Sequence, residues 1–156
     1  QGVDDLACMA MRLEMVTGVT GVELGFPKDA DREMVRAFIR AASGELPVIA
    51  CLPIDHTVEL AQAALEAGAV AISLGAPRGA LPLPGGGFVQ GRLYGPALFP
   101  QALAAVRGLA TTGTPVIGAG GAYSQVQVQA MLAAGALGVQ LDSVLWKGNF
   151  NLAAAA

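Results

Sequence analysis

The stretch 115-PVIGAGGAYSQVQVQAML-132 joins a short apolar run, a glycine pair and the start of a helix. Ser124 followed by Gln127 fits the capping-box pattern that begins many helices. Glycines at such a junction have two physical explanations: they relieve a tight turn, or they let a ligand approach bare backbone amides at the positive end of the helix. The stretch therefore predicts a strand–turn–helix unit and leaves a tight turn and an anion site as alternatives for Gly120 and Gly121.

A weak internal repeat extends this unit along the chain. The segments 17-TGVTGVELG-25, 67-AGAVAISLG-75 and 134-AGALGVQLD-142 each place a helix-ending glycine before a short, mainly apolar run. Two more runs, 46-LPVIACLP-53 and 114-TPVIGAG-120, have the β-branched content and turn-rich flanks that are typical of buried strands. The sequence thus predicts five strands, which begin near Gly21, Pro47, Ala69, Pro115 and Gly138.

The segments between these strands predict helices. We expect them over residues 4–16, 29–42, 56–67 and 124–135, with Asp55 as the N-cap of the third. Strands that alternate with helices imply parallel pairing through right-handed crossovers. This pattern favours a (β/α)8 TIM barrel, and a doubly wound open α/β sheet is the alternative.

The length of the chain fits only part of a barrel. A complete barrel needs about 250 residues, whereas this sequence has 156 residues and supplies about the last five βα units. We expect residues 1–156 to be the C-terminal portion of a single barrel domain whose N-terminal units are missing. Because an open sheet exposes two edges, we also expect a homo-oligomer or pairing with the missing N-terminal portion.

Composition excludes several classes of protein. The chain is 54% hydrophobic, carries a net charge of −3 and has no basic stripe, so nucleic acid is not an expected partner. Residues 108–141 contain no charged side chain, but Pro115, the glycines and three glutamines interrupt any membrane span. Cys8 and Cys51 lack metal-ligand spacing, which predicts reduced thiols in a cytoplasmic protein.

If the fold is a barrel, its chemistry belongs at the carboxyl ends of the strands and in the loops that follow them. The long loop over residues 77–96 lies on this face. His56 is a candidate acid or base there, although a histidine near a helix start is more often solvated. Cys51 is either a reactive thiol or a small buried hydrophobe, and Arg92 is either a phosphate-binding cation or a solvated side chain.

The segments 91-GRLYGPALFPQALAAVRGL-109, 115-PVIGAGGAYS-124 and 131-MLAAGALGVQLDS-143 resemble the C-terminal half of the dihydroorotate dehydrogenase family. Members of that family are FMN-dependent barrels that oxidise dihydroorotate in pyrimidine biosynthesis. The resemblance implies a flavoprotein oxidoreductase that acts on a small-molecule substrate and whose glycine motifs surround the FMN phosphate. The residues that it assigns to cofactor binding are Tyr94, Gly95, Gly120, Gly121, Asp142, Ser143 and Cys51.

The sequence also departs from the family pattern, and no catalytic residue is assigned. The family carries a lysine where this chain has Cys51, and an asparagine followed by a catalytic Cys or Ser where it has Glu23 and Phe26. Gly75 replaces an asparagine, and Asp142 replaces a glycine. Two functions stay open: an FMN-dependent enzyme with an altered substrate, or a catalytically inactive relative retained as a phosphate-ligand-binding or assembly subunit.

We expect three physical properties of the predicted phosphate site. A Cβ at Gly120 or Gly121 would occupy the space of the phosphate oxygens, so Gly121→Val would abolish binding without changing the fold. The helix that begins at Ser124 would direct its positive end at the phosphate. Asp142 would repel a phosphate unless it points away or pairs with a cation such as Arg92.

Overall fold

The computed structural model describes residues 2–147. Five α-helices and seven strands make up this part of the chain. The helices are α1 (Val3–Glu14), α2 (Arg32–Ala42), α3 (Thr57–Ala67), α4 (Phe99–Thr111) and α5 (Gln125–Ala133). The strands are β1 (Val22–Gly25), β2 (Val48–Pro53), β3 (Ala71–Gly75), β4 (Arg78–Pro82), β5 (Phe88–Arg92), β6 (Val116–Ala119) and β7 (Gly138–Gln140). None of the helices within residues 2–147 has the length and apolar character needed to cross a bilayer.

The main sheet has five strands in the order β1-β2-β3-β6-β7. Every neighbouring pair in it is parallel. The five predicted strands are therefore confirmed in place and direction. The order follows the chain without the reversal that marks a doubly wound sheet, so the fold is that of consecutive βα units of a (β/α) barrel. Strands β1 and β7 are the edges of this sheet within the described residues.

The hydrophobic core lies between the sheet and the helices. Strand β2 alternates buried and half-buried residues, and its buried face carries Val48, Ala50 and Leu52. That face packs in one apolar cluster with residues such as Ile39 of α2 and Leu109 of α4. The opposite face, which is the inner face of a barrel, carries the half-buried residues Ile49, Cys51 and Pro53 of β2.

The helix ends agree with the predicted repeat at two of its three glycines. The prediction that Gly18 ends the first helix is wrong, because α1 stops at Glu14 with Met15 as its C-cap, and the predicted cap of α3 is also wrong. Gly68 and Gly135 follow their helices with φ of +115° and +106°, a conformation that favours glycine. Asp55 does not cap α3, because it lies in a single 3₁₀ turn, Ile54–His56, that precedes the helix. Thr57 instead ties the start of α3 to β2 by donating a 2.7 Å hydrogen bond to the carbonyl of Pro53.

The predicted loop over residues 77–96 contains an antiparallel hairpin formed by β4 and β5. Its register runs from Arg78 opposite Arg92 to Pro82 opposite Phe88. Residues 80–94 are all exposed, so the hairpin has no buried face to impose an alternating apolar pattern on its sequence. A single 3₁₀ turn, Pro96–Leu98, then leads directly into α4, a helix that the sequence reading left unassigned.

Candidate functional site

A cavity of about 780 Å³ opens at the carboxyl ends of the five parallel strands. Its walls come from the loops that follow these strands and from the β4–β5 hairpin. This volume is within the range of cofactor and substrate pockets. All of the predicted cofactor-binding residues line it, namely Cys51, Tyr94, Gly95, Gly120, Gly121, Asp142 and Ser143.

The loop that leaves β6 contributes part of the cavity lining. Gly120 and Gly121 have φ of +105° and +72°, and both line the cavity together with Ala122. Gly121 and Ala122 are buried, yet no oxygen atom of residues 2–147 accepts a hydrogen bond from their N–H groups. Buried backbone donors are almost always paired. These amides can therefore receive an anionic ligand, as the second explanation of the glycine pair requires.

The physical reason for the glycines differs from the one predicted. A Cβ on Gly121 would stand 2.8 Å from the Cα of Phe99 and 3.0 Å from the carbonyl carbon of Leu98. A Cβ on Gly120 would stand 3.3 Å from the Cβ of Ala102. The added atoms would thus meet α4 and the turn before it, so the expectation that they would take the space of phosphate oxygens is wrong. The glycines allow the loop to pack against the start of α4.

The segment that follows β7 also lines the cavity, next to the loop that follows β6. Ser143 accepts a 2.7 Å hydrogen bond from the hydroxyl of Tyr123, which fixes its side chain. The Asp142 carboxylate accepts a hydrogen bond of 3.4 Å from the indole N–H of Trp146. Within residues 2–147 no ion pair joins Asp142 to Arg92. Repulsion between Asp142 and a bound phosphate is therefore not relieved by pairing with Arg92.

Helix α5 begins as its sequence predicts. Ser124 is the N-cap, and its hydroxyl accepts a 3.3 Å hydrogen bond from the N–H of Gln127. The side chain of Gln127 in turn accepts a 2.8 Å hydrogen bond from the N–H of Tyr123. In this segment the residues that line the cavity end at Ala122, and neither Ser124 nor the first turn of α5 is among them. The lining residues of this segment consequently belong to the loop before the helix. The alignment of the positive end of α5 with a bound phosphate stays a prediction.

A polar cluster occupies the inner face of the sheet. Oε1 of Glu23 accepts hydrogen bonds from the hydroxyl of Ser73 at 2.5 Å and from the side-chain amide of Gln140 at 2.9 Å. Ser73 is fully buried and pairs in register with Cys51 of β2. This cluster links β1, β3 and β7, and the sequence reading missed Ser73 and Gln140. Alternation along β3 is the signal that would have placed Ser73 on the inner face.

The Cys51 thiol is shifted away from its anionic form. Burial is the main cause that raises its pKa, and the negative charge of Glu23 raises the pKa further. Hydrogen bonding with Ser73 and the positive charge of Arg92 act in the opposite direction but leave the pKa of Cys51 above its ordinary value. The thiol is therefore protonated at neutral pH, and of the two predicted roles the geometry favours a partly buried, neutral side chain.

The remaining polar candidates separate into two groups. Arg92 lines the cavity, as do Phe26 and Gly75 from the positions that depart from the family pattern. His56 does not line the cavity. Its Nδ1 lies 3.8 Å from the carboxylate of Glu59 on the exposed surface of α3, so the structure agrees with a solvated histidine.

Comparison with known proteins agrees with the fold and with the motifs. No protein-family model matches the chain. Over 145 residues it is 35% identical to a protein described as "Dihydroorotate dehydrogenase B (NAD(+)), catalytic subunit" from Methanopyrus kandleri, and the match covers 84% of this chain and 45% of that protein. A crystal structure of DHODH from Eimeria tenella in complex with ferulenol has the same fold, with a TM-score of 0.69 at 14% identity over 94% of this chain and 50% of that one. The chain thus spans about half the length of these relatives, and its sequence is similar to that of a dihydroorotate dehydrogenase.

Proposed function

We propose that this chain is part of an FMN-binding oxidoreductase and that its cavity holds the cofactor by the phosphate. The observation that carries the proposal is that Gly121 and Ala122, two buried residues in the lining of a 780 Å³ cavity, have N–H groups without an acceptor among residues 2–147. A phosphate is the strong hydrogen-bond acceptor that such donors lack. Bound FMN would supply the redox chemistry, and the chain would supply binding and orientation.

The other predicted residues have compatible positions around this phosphate site. Gly95 has φ of +131°, and a Cβ built on it would meet no atom within 4 Å, so a ligand can approach the backbone there. Ser143, in the segment that follows β7, offers its hydroxyl to the cavity. Tyr94 contributes an exposed ring to the cavity rim, and Cys51 contributes a neutral thiol to its floor. Because the thiol is uncharged, it does not repel the phosphate.

The proposed reaction is oxidation of dihydroorotate or of a related small molecule in pyrimidine biosynthesis, in the cytoplasm. The sequence similarity supports this reaction class. The altered lining of the cavity supports a changed substrate, because Cys51 stands where the family pattern has a lysine, and Glu23 and Gln140 form a hydrogen-bonded pair in the lining.

A catalytically inactive relative is the second candidate. Phe26, which stands where the family pattern has a catalytic Cys or Ser, packs its ring against Phe38 with centroids 6.4 Å apart. A phenyl ring cannot transfer a proton. Under this alternative the phosphate-binding loop would serve ligand binding or assembly alone.

We also propose that further strands complete the barrel along β1 and β7, the edges of the five-stranded sheet. Edge strands present unpaired N–H and C=O groups that favour pairing with another segment. Those strands would come from an N-terminal portion of the same protein or from a second copy.

The test is the visible absorption spectrum of the intact protein, recorded as purified and after incubation with FMN. We expect a flavin band and about one FMN per chain. Anaerobic addition of dihydroorotate should then bleach the band if the reaction is unchanged, whereas a stable band would indicate an altered substrate. A colourless protein that cannot take up FMN would contradict the proposal and favour the inactive relative.

A further inference from the structure

We propose that Arg78 and Arg92 form a clamp that binds an oxyanion, a carboxylate or phosphate of a small ligand, at the mouth of the cavity. This clamp is separate from the amides of residues 120–122, so the cavity would hold two anionic groups at different walls. The inference rests on the proposed function in one respect, since the ligand would occupy the same cavity as the cofactor.

The two arginines face each other across the base of the hairpin. Arg78 of β4 and Arg92 of β5 are direct partners in the antiparallel register, and both line the cavity. Like charges directly opposite each other on paired strands destabilise the pairing. A ligand that carries negative charge would remove this repulsion, and planar guanidinium groups are suited to bidentate contacts with carboxylate or phosphate.

Neither arginine is neutralised by a carboxylate in the described part of the chain. Three carboxylates line the same cavity, and each is held by neutral donors: Glu23 by Ser73 and Gln140, Asp55 by Gln101 at 3.2 Å, and Asp142 by Trp146. Within residues 2–147 no carboxylate oxygen lies within 4.0 Å of a guanidinium nitrogen of Arg78 or Arg92. The cavity therefore contains two adjacent cations without a counter-ion.

The charge of Arg92 reaches the interior of the cavity. It lowers the pKa of the Cys51 thiol, whose strand forms the floor beneath the hairpin. Arg92 is exposed, and it lines the same cavity as Cys51 and Arg78. The guanidinium is thus placed to act on a ligand that lies between the hairpin and the sheet.

The experiment follows the side-chain Nε–Hε signals of the arginines by nuclear magnetic resonance in the intact protein loaded with FMN. The probes are orotate, uracil, which is the same ring without the carboxylate, and inorganic phosphate. We expect the signals of Arg78 and Arg92 to shift with orotate and not with uracil. Arg107 on the exposed side of α4 is the internal control and should not shift with any probe.

Variants make the result quantitative. Arg78→Gln and Arg92→Gln should each weaken orotate binding at least about tenfold and leave FMN binding unchanged, and Arg107→Gln should change neither. Shifts with phosphate alone would identify phosphate as the source of the oxyanion. Absence of shifts with both anions, or equal shifts with uracil, would overturn the clamp. If the protein takes up no FMN, the same titration in its absence still tests the clamp and separates the two proposals.

Discussion

Gly121 lies directly against the first turn of α4, where a Cβ on it would stand 2.8 Å from the Cα of Phe99. This contact involves backbone atoms, which cannot rotate away as a flexible side chain would. The same residue has φ of +72°, a conformation that costs other residues about 1–2 kcal/mol. Packing of the loop, rather than room for a ligand, therefore determines the glycine at this position.

We accordingly expect Gly121→Ala to destabilise the fold. Overpacking costs about 1–3 kcal/mol, and with the backbone strain the free energy of unfolding should fall by more than about 2 kcal/mol. Urea unfolding of the intact protein measures this change. Gly138→Ala is the matched control, because a Cβ there meets no atom within 4 Å and its φ is not positive. Equal stability of the two variants would contradict the packing explanation.

The hydrogen bond from Ser73 to Glu23 should contribute measurably to stability. Hydrogen bonds to charged groups contribute about 1.5–3 kcal/mol, and Ser73 is fully buried. We expect Ser73→Ala and Glu23→Ala to show a coupling energy of at least about 1 kcal/mol in a double-mutant cycle measured by urea unfolding. As a control, the effects of Ser73→Ala and of Glu33→Ala, on the exposed side of α2, on the free energy of unfolding should be additive. Additivity in the first cycle would mean that the bond contributes nothing.

The raised pKa of Cys51 predicts slow alkylation at neutral pH. In a Cys8→Ser background, the pH at which Cys51 reacts half-maximally with iodoacetamide should lie above that of a free cysteine derivative, because burial disfavours the thiolate. Arg92 lowers this pKa, so Arg92→Gln should move the midpoint further up, and Arg107→Gln should not move it. A midpoint at or below that of the free thiol would show that the thiol is not buried.

The five main strands could be predicted because their signals are local. Each repeat contains a glycine before a short apolar run, and in the second and third repeats Gly68 and Gly135 follow a helix with positive φ, which is the physical origin of the pattern there. Ser124 likewise caps α5 through a partner three residues away. Short-range rules are sufficient for features of this kind.

Features that join distant segments escaped prediction. Glu23, Ser73 and Gln140 come from three strands, and only the strand order brings them together. Gly121 is required because α4 starts directly against it, and no local sequence pattern shows where α4 starts. The β4–β5 hairpin escaped because residues 80–94 are exposed on both faces and carry no alternation.

Because Gly121 supports the fold itself, a different residue must report on the phosphate site. Ser143 lines the cavity and lies beside the loop of residues 120–122, where its hydroxyl accepts a hydrogen bond from Tyr123. Ser143→Asp would place a negative charge there and should weaken FMN binding at least about tenfold, since one charge-assisted hydrogen bond alone is worth about 1.5 kcal/mol or more. Ser124→Asp is the control, because aspartate also caps helices and Ser124 lies outside the cavity lining.

The most direct test of the phosphate-binding cavity is a comparative titration of the flavin-free intact protein with FMN and with riboflavin, which lacks the phosphate. The affinities follow from quenching of flavin fluorescence. We predict that FMN binds at least about tenfold more tightly than riboflavin, which corresponds to about 1.4 kcal/mol, and that Ser143→Asp removes this preference. Equal affinity for the two flavins, or no binding of either, would contradict the proposal that the unpaired amides of Gly121 and Ala122 hold a cofactor phosphate.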